Sequence, residues 1–294
     1  MKKLLAYLQL VRFPNVFTAI ADILMGYFIT VLFPKYQLGI LIAASCSLYC
    51  AGMILNDVMD FDDDKAERPQ RPLPSGRIDR EWAHKLGYIL LGVGILLASI
   101  VSLPSAGIAA VLAGAIYLYD GPLKRSALAP WVMGLCRALN ALLGMSLAAD
   151  VFQTHHLLIA GGMGTYVAGI TWFARCEAKQ SNVKLLQFGL GVMAAGIIML
   201  ALFPNFTDRP LHFRAPIPWP TLLLLLMTSV VRQCVTAIWQ PEPRNVQAAV
   251  KHSLFSLVVL NAAIVLALCG PVLALVVVAL IIPTVLLGKW VYST

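Results

Sequence analysis

The sequence predicts an all-α fold, a polytopic transmembrane bundle of nine or ten helices forming a single domain over residues 1–294. Three observations predict it. First, 60% of the residues are hydrophobic and only 12% are charged, with a mean hydropathy of +0.81. Soluble domains carry about 45–50% apolar and about 25% charged residues, so there is too little polar surface here to coat a water-soluble globule. A disordered chain is excluded on the same grounds. Second, stretches such as 185–203 and 272–287 are unbroken apolar runs. Membrane barrels alternate apolar and polar residues, whereas membrane helices do not. Third, basic residues are distributed unevenly over the loops that these runs define.

The apolar runs give ten candidate spans, near 14–33, 38–59, 84–103, 105–120, 129–149, 157–175, 184–203, 219–239, 249–269 and 271–290. The first follows Met-Lys-Lys and resembles a signal peptide. Arg12 and Pro14 interrupt it, and no small-residue cleavage site follows, so it reads as a retained helix. The third and fourth are separated by little more than Leu103-Pro104-Ser105, and the last two by Gly270-Pro271. Each break fits a tight turn or a kink, and the last pair leaves the count at nine or ten. All six tryptophans fall at or near predicted helix ends, where an interfacial belt places them. No loop is long enough to hold a soluble domain.

With the N-terminus in the cytoplasm, all but three of the 22 Lys and Arg lie on the inner side; the exceptions are Lys35, Arg209 and Arg214. The net charge of +8 therefore reads as topology rather than as a nucleic-acid surface. The expected location is integral, in a plasma membrane of the bacterial inner-membrane kind. The cysteines, at 46, 50, 136, 176, 234 and 269, lie in or beside apolar runs without ligand spacing and read as small core residues.

The longest inner loop carries the sharpest signal. Five of the 14 acidic residues fall within Asp57–Asp64, at the end of an apolar run where charge is costly. If the second helix continues until Pro69, then Asn56, Asp60 and Asp64 share one face with Asp57 beside them. Asp63 falls at the edge of that face and Asp62 points away. Carboxylates gathered so closely repel one another unless a cation joins them, and hard oxygen donors suit Mg²⁺. A second inner loop holds Tyr119, Lys124 and Arg125, and the helix after it carries Arg137 and Asn140 inside an apolar run. Intramembrane polar residues usually face a cavity; here the competing reading is a structural bond between helices. Asp22 and Arg232 raise the same question. A third inner loop holds Arg175, Glu177 and Lys179. Metal-binding carboxylates and several bases at one membrane face are the chemistry of a diphosphate site, with apolar helices beneath to receive a hydrophobic tail.

The run Asn56-Asp57-x-x-Asp60-x-x-x-Asp64, followed by Arg68-Pro69-x-Arg71-Pro72-Leu73-Pro74-Ser75-Gly76, resembles the first aspartate-rich motif of the UbiA superfamily of intramembrane prenyltransferases. Tyr119 through Arg125, Arg137-x-x-Asn140, and Arg12-Phe13-Pro14-Asn15 leading to Asp22 are similar to other parts of that family. The resemblance covers the chain to about residue 205. It implies a bundle around a central cavity and Mg²⁺-dependent transfer of a prenyl group from a prenyl diphosphate to an aromatic or other polar acceptor at the cytoplasmic face. It implies that Asn56, Asp57, Asp60 and Asp64 hold the Mg²⁺. Asp57, Asp60, Lys124 and Glu177 are then the expected catalytic residues. Substrate contacts are expected from Asn56, Arg68, Arg71, Tyr119, Arg125, Arg137, Asn140, Arg175 and Lys179. The expected partners are the diphosphate donor, a small acceptor and the lipid bilayer.

One departure stands out. Where the family has a second aspartate-rich motif, this chain offers Arg175-Cys176-Glu177-Ala178-Lys179, with one acid. That pattern is similar to the EboC subgroup of UbiA-like proteins. Either one metal suffices, with Arg175 and Lys179 supplying charge in place of the second, or transfer activity is altered or lost. The alternative is a non-catalytic membrane carrier that retains an anion-binding site.

Overall fold

The computed structural model describes residues 2–175, 182–208 and 219–291, and among these every regular element is helical. A short helix α1 (Lys2–Leu10) precedes α2 (Phe13–Val31), α3 (Tyr36–Met59) and the seven-residue α4 (Phe61–Glu67). Then come α5 (Arg80–Val101), α6 (Leu103–Asp120), α7 (Ala129–Gly144), α8 (Thr154–Ala174) and α9 (Val183–Leu202). The chain ends with α10 (Trp219–Trp239), α11 (Pro243–Cys269), α12 (Pro271–Val278) and α13 (Ile281–Trp290).

Local chemistry explains the boundaries. Arg12 adopts a left-handed conformation (φ 47°), and Pro14 then sits in the first turn of α2, where its missing N–H costs nothing. The Asp79 side chain caps α5 by accepting from the Trp82 amide at 2.8 Å. Ser102 alone separates α5 from α6 and caps the latter through the Ser105 amide at 3.1 Å. α11 begins at Pro243, six residues before the predicted span, because a helix can run into polar residues that hydropathy discounts. Gly270 takes φ 89°, which a glycine adopts without strain, and α12 packs on α11, so this break is a turn.

Nine helices among the described residues are long and apolar enough to cross a membrane, the ninth being the α12–α13 segment Pro271–Gly288. α7, at 16 residues, is shorter but packs between α6 and α8, and including it makes ten. Consecutive neighbours close into a ring: α2 touches α3, then α5 through α11 follow in order, and α11 returns to α2. α2 and α11 also touch α7 and α8 respectively, so they lie innermost. The chain is an integral membrane protein.

Helix contacts are made close by small residues, as expected where lipid supplies no hydrophobic drive between helices. At the crossing of α7 and α8, a Cβ on Gly164 would stand 2.6 Å from the Gly134 carbonyl oxygen. The tryptophans keep to helix ends, with Trp82, Trp131, Trp239 and Trp290 exposed and Trp172 half-buried. Trp219 is the exception, buried against Phe203 with its indole N–H on the Leu200 carbonyl at 2.8 Å. Below α3, a small second core of Ala6, Leu10, Ile54, Val58, Leu73, Ile78 and Ala83 ties α1 to the segment after α4.

Candidate active site

The acidic run lies where α3 passes into α4. Asp60 breaks the helical geometry (φ −85°, ψ 5°), so the single helix expected up to Pro69 is two. The backbone bonds nevertheless keep four-residue spacing, from Asp60 to Asn56 at 3.0 Å and from Asp64 to Asp60 at 2.8 Å. The predicted face therefore survives. Asp62, Asp63 and Asp64 occupy the first turn of α4, where unpaired amides favour negative charge.

Each carboxylate of this face meets a base. Asp57, only 5% exposed, has Arg12 at 3.1 Å and Arg71 at 3.6 Å. Arg71 also reaches Asp64 at 2.6 Å, so its guanidinium bridges two acids about two helical turns apart. Lys124 pairs with Asp60 at 2.7 Å and donates to the Asn56 carbonyl at 3.2 Å. Arg125 pairs with Asp63 at 2.9 Å on the exposed rim. Burial works against the Arg12 charge, but the Asp57 carboxylate, with Tyr49 and Tyr119 nearby, holds its pKa above the ordinary arginine value.

Arg71 is held by its own loop. Leu73 and Ile78 are anchored in the small core, and Arg77 latches the loop by donating to Gln9 at 2.8 Å and to the Gln70 carbonyl at 2.7 Å. Beside the acidic face a cavity of about 370 Å³ is lined by Met59, Asp60, Asp120, Gly121, Pro122, Lys124 and Arg125.

The other expected residues divide into groups. Tyr119 is half-buried within electrostatic reach of Arg12. Arg68 is exposed at the end of α4, outside the ion pairs of the acidic run. Arg175 donates to the Ser126 carbonyl and stacks on Trp172, so it braces the loop carrying Lys124. Glu177 and Lys179 lie outside the described residues, and the narrower likeness to the EboC subgroup rests on that same stretch. Arg137 and Asn140 are engaged deeper in the bundle. Arg137 Nε stands 2.7 Å from Asp22 and the guanidinium donates to the Thr18 carbonyl at 2.8 Å. Asn140 donates to Asp22 at 3.0 Å and accepts from Ser45 at 2.6 Å. Asp22 is ten residues beyond Arg12 on α2, roughly 15 Å along the helix axis. Tyr49 lies within electrostatic reach of both Arg12 and Arg137. Arg232 is exposed on α10.

Three residues acquire contacts that sequence reasoning did not assign. Arg12 was visible as a base just ahead of a span. Asp120 was visible as an acid ending an apolar run, the same signal that marked Asp57. Asn261 was visible as an amide within an apolar run, and it donates to Asp22 at 2.8 Å.

The hard oxygens of Asn56, Asp57, Asp60 and Asp64 fit Mg²⁺ in kind. No three His, Cys, Asp or Glu side chains among the described residues converge as a ready-made metal site. The reason is visible: Arg71 stands between two of the carboxylates and Lys124 covers the third.

A sequence model of the UbiA prenyltransferase family matches residues 16–257. The chain belongs to the UbiA prenyltransferase family. Its curated relatives include the digeranylgeranylglyceryl phosphate synthase of Sulfurisphaera tokodaii, 34% identical over 47% of this chain and 51% of the relative. The chain thus spans about half the length of the first such relatives it matches. The synthase of the same name from Methanopyrus kandleri is 29% identical over 77% of this chain and 85% of its own.

Solved UbiA homologues share the fold. The apo homologue from Aeropyrum pernix K1 has a TM-score of 0.63 at 14% identity, covering 87% of this chain and 97% of that one. The Archaeoglobus fulgidus homologue bound to GPP and Mg²⁺ has a TM-score of 0.60 at 13% identity, covering 86% and 99%.

Proposed function

We propose that this UbiA family member transfers a prenyl group from a prenyl diphosphate to a polar acceptor, with the site at the cytoplasmic face of a plasma membrane. The observation that carries the reading is the alternation of acids and bases around Arg71, Asp57, Asp64, Asp60 and Lys124, beside a cavity at the end of an apolar bundle. The names of the curated relatives, and the GPP and Mg²⁺ bound by the A. fulgidus homologue, support it.

Asn56, Asp57, Asp60 and Asp64 would hold Mg²⁺, which neutralises diphosphate oxygens as they gain charge. Arg71 and Lys124 would turn from the carboxylates toward the phosphates, keeping each charge paired throughout. Arg12 would hold Asp57 in place. The allylic C–O bond breaks with its electron pair leaving on diphosphate. The electron-deficient carbon then bonds to an acceptor atom, and the acceptor releases its proton. The apolar helices below would exclude water from that carbon. A hydroxyl acceptor on a glycerol phosphate lipid is favoured by the relatives' names, and an aromatic acid is the competing class.

The test supplies purified protein with Mg²⁺, geranylgeranyl diphosphate, and either a prenylated glycerol phosphate or an aromatic acid, and follows pyrophosphate release and prenylated product. Turnover is expected with the first acceptor, lowered at least about 100-fold in Asp57→Asn. Folded protein that binds the donor but forms no product with either acceptor class, and instead moves an anion across proteoliposomes, would overturn the reading in favour of a carrier.

A further inference from the structure

Two carboxylates line the cavity at this face, and they are held differently. Asp60 is paired with Lys124 at 2.7 Å. Asp120, the last residue of α6 and only 4% exposed, has no Lys, Arg or His within ion-pair distance among the described residues. Its hydrogen-bond partner is the Asn56 side chain, whose Nδ2 donates to Asp120 Oδ1 at 3.0 Å.

That single bond fixes something an amide does not fix for itself. Asparagine presents an oxygen acceptor on one side and two N–H donors on the other, and only the oxygen can face a cation. The Asp120 Oδ1 accepts from the amide N–H, so it draws the nitrogen to itself and turns the oxygen away. Asn56 is held at its main chain as well, because Lys124 donates to its carbonyl at 3.2 Å. α3 supplies the amide and α6 supplies the carboxylate that sets it, 64 positions away in sequence.

We infer that Asp120 is a positioning residue of the diphosphate site: it holds the Asn56 amide in the one orientation that offers its oxygen to a divalent cation. The inference rests on the diphosphate reading of this site. Residues that orient ligands in this way typically cost about 10–100-fold in metal affinity when removed. Replacing Asp120 by an apolar residue frees the amide to rotate and present its donors to the cation. Replacing it by asparagine keeps a side-chain oxygen that still accepts from Asn56.

The experiment measures Mn²⁺ uptake, with inorganic pyrophosphate, by detergent-solubilised full-length protein, reading free Mn²⁺ by electron paramagnetic resonance. Asp120→Leu is expected to raise the Mn²⁺ dissociation constant about 10–100-fold. Asp120→Asn should stay close to the wild type, and adding Asp120→Leu to Asn56→Ala should cause no further loss. Asp120→Ala replaces the leucine variant if thermal melting shows that the latter does not fold. Unchanged Mn²⁺ affinity in Asp120→Leu overturns the inference alone. So does a loss in Asp120→Asn equal to that in Asp120→Leu, or a full additional loss in the Asn56→Ala background. Wild-type protein that takes up no Mn²⁺ with pyrophosphate overturns the diphosphate reading, and this inference with it.

Discussion

Asp22 is fully buried near the middle of α2 and receives Asn140 from α7 at 3.0 Å and Asn261 from α11 at 2.8 Å, with Arg137 Nε at 2.7 Å. Ser45 on α3 completes the group through Asn140. A buried charge with one partner removed is strongly destabilising, typically by 3–5 kcal/mol, whereas removing both partners together is much less so. Asp22→Leu should therefore lower the melting temperature in detergent sharply, and Asp22→Leu with Arg137→Leu should melt above the single variant. A site role for Arg137 predicts a different pattern, with melting unchanged in Arg137→Leu and KM for the diphosphate raised. The letters of this cluster were legible in the sequence, because polar residues stand out in apolar runs. Their pairing was not, since Asp22 and Asn261 are 239 positions apart and hydropathy is blind to which helices are neighbours. The acidic motif at Asn56–Asp64 was more legible because its members are close in sequence and a helical period places them. Its counter-ions were only half legible: Lys124 was expected at the phosphates, while Arg12 was noticed only as part of a motif.

Helices were legible as apolar runs, and their ends less so, because ends are set by caps and glycines rather than by hydropathy. Ser102 shows this: one hydroxyl accounts for a break that the sequence left open as turn or kink. Contacts between helices depend on residues that hydropathy scores as nearly neutral. Gly164 on α8 faces Gly134 on α7, and a Cβ there would stand 2.6 Å from backbone oxygen and 3.0 Å from the Ala138 Cβ. Backbone cannot yield as a flexible side chain can, so Gly164→Ala must push the helices apart. Overpacking of this kind typically costs about 1–3 kcal/mol. Gly107, on α6, has nothing within 4 Å of its would-be Cβ. Gly107→Ala should melt at or above the wild-type temperature, since alanine is the better helix former. Equal melting of the two variants would show that the α7–α8 crossing is not held by this close approach.

At the scale of the whole molecule, the site and the topology depend on the same charges. α1, α4, the loop bearing Lys124 and Arg125, and the end of α8 lie on one face, because each adjacent pair of spans returns the chain to it. Gln153, ahead of α8, lies at the other. The positive-inside rule predicts that the basic face is cytoplasmic, and part of its charge is engaged with the acidic run. Arg12, Arg71, Lys124 and Arg125 all have carboxylate partners. Lys and Arg dominate the rule and Asp and Glu contribute little to it, so the engaged bases still count. In a variant without the native cysteines, Gln153→Cys should react with a membrane-impermeant maleimide in intact cells. Glu67→Cys, exposed in α4, should react only after permeabilisation. The reverse pattern would place the acidic site outside, and would mean that bases neutralised by neighbouring acids do not orient this chain.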